Sequence, residues 1–267
     1  MKHSFWKLLH YEIDRFSKIY GAMALLTLVV QWVSTVWMAK GLVERMELGV
    51  SARSGHSFIT YSTNPAFLAP IALCAAALLL YVFLIWYRDW FGKHTFIYRL
   101  LMLPAPRMNI YWAKLSAILI FVLGLIAFQL ITLPLHLYTF NSIVPEEARD
   151  AVSTAQIVMG HQLFKILIPL HIYKFLMSYI TGLAGVAILF TVILTERSYR
   201  LRGLILGILY LLITATFLMI PTLLNEVWYP RFFYPSERVF MEAILGLLIL
   251  CFSVWLSSYL IRHKITV

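Results

Sequence analysis

The chain has 267 residues, 61% of them apolar and 13% charged, with a formal net charge of +10; soluble domains average roughly 45–50% apolar and 25% charged. That balance excludes an ordinary soluble domain. No GxxxxGK[ST] phosphate loop occurs in the sequence, so ATP-driven work would require another polypeptide.

The first element predicted lies over residues 1–18. Phe5, Leu9, Ile13, Phe16 and Tyr20 recur at spacings of three or four, while Lys7, Asp14 and Lys18 take another face. This pattern predicts an amphipathic helix on the inner leaflet with Trp6 at headgroup depth; the alternative is a helical extension of the first span. Six apolar runs follow, at residues 19–39, 66–87, 115–138, 174–194, 203–224 and 243–261. At about 1.5 Å per residue each is long enough to cross a hydrocarbon core of about 30 Å. The runs lack period-two alternation, which excludes barrel strands, and a helix alone satisfies its own backbone in lipid. The expected fold is all-α: one polytopic membrane domain over residues 1–267 with six transmembrane helices. The first run is too long, and too far from the first residue, for a cleavable signal. Cys74 and Cys251 fall inside runs and read as buried thiols.

Residues 88–114, between the second and third runs, exceed what a helix hairpin needs. Within them, His94 to Leu103 puts Phe96, Leu100 and Leu103 on one stripe with Lys93 and Arg99 off it, and Pro104 and Pro106 end the helix. A short basic element held between two spans is a handle for a partner to push; spacing alone equally allows a solvated loop resting on lipid.

Residues 139–173 contain Glu146-Glu147-Ala148-Arg149-Asp150 and an apolar piece at 163–171 broken by Pro169. Starting the fourth span at Lys174 leaves that piece as an interfacial or partly inserted helix and sets the Lys174 ammonium where it reaches water. A mid-membrane Lys174 would instead be a costly, functional charge. His136, His161 and His171 lack ligand spacing and read as interfacial histidines, so no metal is expected. Ala72, Ala75 and Ala76, then Ser178, Gly182 and Gly185, and the GxxxG of Gly203 and Gly207 mark faces where helix backbones approach. Trp228, Tyr229, Phe232, Phe233 and Tyr234 fit an aromatic belt at the outer headgroups.

Basic residues set the orientation. Lys2, Lys7, Arg15 and Lys18, then Arg88, Lys93, Arg99, Arg107 and Lys114, then Arg197, Arg200 and Arg202, and finally Arg262 and Lys264 fall on one side. The opposite gaps hold most of the acids, among them Glu44, Glu47, Glu146, Glu147, Asp150 and Glu226. Both termini are therefore expected in the cytoplasm. Topology accounts for the positive charge, so nucleic acid is not expected as a partner; membrane lipid is.

Tyr87-Arg88-Asp89-Trp90-Phe91-Gly92-Lys93-His94-Thr95, then Leu101-Met102-Leu103-Pro104-Ala105-Pro106-Arg107 and Tyr111-Trp112-Ala113-Lys114-Leu115, resemble the first cytoplasmic loop of ABC-2 type transporter permeases. The end of the chain, Tyr259-Leu260-Ile261-Arg262-His263-Lys264-Ile265, is similar to the basic tail of many such subunits. The resemblance implies a permease subunit of an ABC exporter in the cell membrane, paired with a second permease subunit, identical or homologous, and contacting an ABC ATPase dimer. ATP and Mg would then sit on the ATPase, with no cofactor and no catalytic residue on this chain. It further implies that 88–114 carries a coupling helix, with Asp89, Gly92, Thr95, Arg99 and Arg107 as coupling residues, and that Tyr229, Phe232, Phe233 and Tyr234 form an outer gate. Pro106 departs from the family, which often has Ser there.

Two other classes remain open. A membrane scaffold would bind a partner through the same basic loop without moving a substrate. An intramembrane hydrolase would use Glu146 and Glu147 with Arg149, yet neither GxSxG nor HExxH occurs.

Overall fold

The computed structural model describes residues 2–49, 55–90, 106–169, 171–225 and 234–264. Among them α1 (Lys2–Glu47), α2 (Phe58–Ser62), α3 (Pro65–Trp90) and α4 (Met108–Ile143) come first. A 3₁₀ turn at Glu146–Ala148 leads to α5 (Thr154–Gly160), α6 (Gln162–Leu167), α7 (Ile172–Tyr199), α8 (Leu201–Leu223) and α9 (Pro235–His263).

Six of these, α1, α3, α4, α7, α8 and α9, are long and apolar enough to cross a membrane. Their outer faces carry exposed apolar side chains, such as Leu25, Val29 and Trp37 on α1 and Ile205, Leu209 and Leu212 on α8. Water would not tolerate so much apolar surface, whereas a bilayer covers it. Cys251 belongs to this outer surface, contrary to its expected burial, while Cys74 is buried.

Residues 2–18 are continuous with the first span and form no separate helix. No proline interrupts 2–47, so α1 continues unbroken from Lys2 into the first span, with Leu9, Glu12, Phe16 and Met23 buried along it. The other spans also run past their apolar runs, because the polar residues at their ends are adequate helix formers.

The chain divides into two compact units. Unit 2 (residues 14–78 and 120–170) holds a cluster of Ala39, Leu42, Phe58, Phe67, Leu133, Phe140, Ile157 and Phe164. Helices α2, α5 and α6 close over it. Ser153 and Gln156 cap α5 reciprocally, at 2.8 and 3.3 Å. His161 Nδ1 accepts from the Leu163 N–H at 3.1 Å, which leaves Nε2 protonated to donate to the Ser62 carbonyl at 3.2 Å. The apolar piece expected at 163–171 thus supplies α6 and buries Phe164. Within the spans Gln129 donates to Gln31 at 3.1 Å, and Gln31 to the Phe67 carbonyl at 3.2 Å. His136 is buried edge-on to Phe67.

Unit 1 (residues 1–13, 79–119 and 171–267) is built on α7, α8 and α9. A β-carbon at Gly203 would collide with the Thr195 carbonyl, and one at Gly207 would crowd Val192. The GxxxG therefore seats α8 on α7; Gly182 and Gly185 face open space. Thr191 meets Ser257 at 2.9 Å and donates to the Ser253 carbonyl at 3.2 Å, and Tyr210 meets Ser253 at 2.6 Å, so hydroxyls tie the three helices together. Lys174 is exposed on the first turn of α7.

Candidate functional site

The most concentrated charge in unit 1 lies where α3 ends and α4 begins, on either side of residues 91–105. Lys114 is fully buried on α4. Its ammonium donates to Glu12 Oε1 on α1 at 2.6 Å, to Asp89 Oδ2 on α3 at 2.6 Å and to the Ile85 carbonyl at 2.8 Å. An ammonium has three N–H groups and no acceptor, so each donor is used. Arg88 Nη2 reaches the other oxygen of Glu12 at 3.4 Å, making two acids against two cations. The Trp86 ring lies 5.3 Å from Lys114 Nζ. Buried charge is tolerated only when paired in this way.

Further contacts hold the same helix ends. On α3, the Tyr87 hydroxyl donates to Glu196 of α7, and the Arg197 guanidinium stacks over the Tyr87 and Trp90 rings at 4.8 and 5.7 Å. Below them Trp86 and Tyr111 both pack edge-on against Phe190 at 5.5 Å. Ahead of α4, Arg107 Nη1 donates to the Ile261 carbonyl in the last turn of α9 at 3.2 Å, a favourable place for a cation near a helix C-terminus. Asn109 Nδ2 donates to Ser4 Oγ on α1 at 3.1 Å.

Of the coupling residues expected from sequence, Asp89 lies in the buried cluster and Arg107 on the end of α9. Gly92, Thr95 and Arg99 lie outside the described residues, as do Tyr229, Phe232 and Phe233. Tyr234 is exposed at the start of α9, its N–H donating to Glu237 at 3.0 Å. Glu146 is 88% exposed and paired with Arg149 at 3.0 Å. Sequence reasoning missed Glu12. Its signal was an acid on the apolar stripe of Leu9 and Phe16.

No family model, curated protein or solved structure matches this chain. Fold and site together define a polytopic, six-span helical membrane protein with a charge-neutral knot buried at one end of unit 1.

Proposed function

We propose that this chain is the permease subunit of an ATP-driven exporter, driven by a separate ATPase through residues 88–114. The observation that carries the reading is the buried knot of Glu12, Asp89 and Lys114. A loop that receives mechanical input must be stiffly joined to the helices it moves, and the knot ties together α3 and α4, the helices on either side of 91–105. The likeness of 87–115 to the coupling loop of ABC-2 permeases supports the same reading.

In this account Gly92, Thr95 and Arg99 meet the ATPase dimer on the cytoplasmic side, while Asp89 and Arg107 pass its motion to α3, α4 and α9. ATP and Mg²⁺ belong to the partner. Both termini face the cytoplasm of a cell membrane, and a second permease subunit, identical or homologous, completes the pathway. Tyr229, Phe232, Phe233 and Tyr234 close its outer end.

The test is purification of the full chain from its native membrane in mild detergent, followed by assay of ATP hydrolysis. A copurifying ATPase whose rate rises in the presence of this chain supports the proposal. Association without stimulation would favour a scaffold, and no associated ATPase would contradict both.

A further inference from the structure

We propose that the α7–α8 turn and the end of α9 form a binding site for the phosphate of an anionic phospholipid. Arg200, in the left-handed region at φ +55°, is the single residue joining α7 to α8, and Arg202 follows in the first turn of α8. The end of α9 brings Arg262 and Lys264. The Lys264 ammonium lies 5.7 Å above the ring of Tyr199, which places the two basic segments side by side. The close seating of Gly203 on Thr195 fixes the turn.

All four cations are exposed, and none forms an ion pair among the described residues. Nor can residues 91–105 neutralise them, since that segment contains Lys93 and Arg99 and no acid. Arg200 closes α7 as well as opening α8, so the two dipoles act on it in opposite senses, whereas Arg202 stands in the first turn of α8, where the dipole repels a cation. A phosphodiester supplies the missing charge and accepts guanidinium N–H groups in pairs.

The neighbouring surface selects a lipid over a free anion. Leu201 is 83% exposed and Ile205 67%, with Leu204 and Tyr259 also exposed beside them. These side chains continue down helices that read as membrane spans. A headgroup held by the cations thus lays its acyl chains along α8 and α9, with Tyr259 at headgroup depth. This inference does not rest on the transport reading.

The test uses the full chain in detergent micelles, titrated with phosphatidylglycerol or phosphatidylcholine and read by native mass spectrometry. The wild type is expected to retain phosphatidylglycerol preferentially. Each basic residue near a membrane surface changes lipid affinity roughly fivefold, so Arg200→Gln with Lys264→Gln is expected to weaken retention about 30-fold. Arg262→Gln, on the exposed end of α9, is expected to weaken it about fivefold and serves if the double variant fails to insert. Equal retention of the two lipids by the wild type would overturn the proposal, as would unchanged retention in the variants. Displacement of phosphatidylglycerol by millimolar inorganic phosphate would also overturn it, marking a free-phosphate site. So would a partner protein captured through these residues without lipid discrimination.

Discussion

Lys114 has its three N–H groups committed to Glu12, Asp89 and the Ile85 carbonyl, and that accounting makes the cluster sensitive to single changes. Lys114→Met takes the ammonium away from the buried Glu12 and Asp89 carboxylates and sets an apolar side chain beside them. Stranding a buried charge costs about 3–5 kcal/mol, so the variant is expected to lose most of its folded fraction in detergent thermal unfolding. Neutralising the whole cluster, as Glu12→Gln, Asp89→Asn, Lys114→Met and Arg88→Gln, leaves no buried charge uncompensated and should recover much of the loss. A Lys114→Met protein that melts like the wild type would show that the cluster is solvated.

At the scale of helices, the two glycine pairs make opposite predictions. Gly203→Val drives a side chain into the Thr195 carbonyl and the Glu196 backbone; overpacking of this kind costs about 1–3 kcal/mol. Gly182→Ala points into open space and is expected to stay within about 0.5 kcal/mol of the wild type. Comparing their midpoints in a detergent unfolding series checks both, and equal midpoints would refute the assigned α7–α8 contact. The GxxxG spacing alone marked a close approach in the sequence. It did not identify the helix approached, because small residues are equally suited to any neighbour.

Across the whole molecule, the span count was legible because lipid sets the length of each apolar run. The bounds were less so: hydropathy ends where charge begins, but the helix continues through Arg88 and Asp89 and back through Glu12. The site was half legible. Asp89 and Lys114 stand 25 residues apart on either side of one basic segment that the sequence singles out, whereas Glu12 lies far away in sequence and is identified as their partner only once the start of α1 is packed in unit 1. Six crossings and the distribution of basic residues predict that residues 147 and 200 lie on opposite sides. With Cys74 and Cys251 replaced by alanine, a cysteine at 147 should react with an impermeant thiol reagent in intact cells. A cysteine at 200 should react only after permeabilisation. The reverse pattern would invert the topology.

The coupling account is tested most directly by a photoreactive amino acid in place of Arg99, activated in intact cells. The account predicts a covalent adduct with an ATP-hydrolysing subunit, lost when that subunit is deleted. An adduct formed instead with a reagent confined to the exterior medium would contradict it.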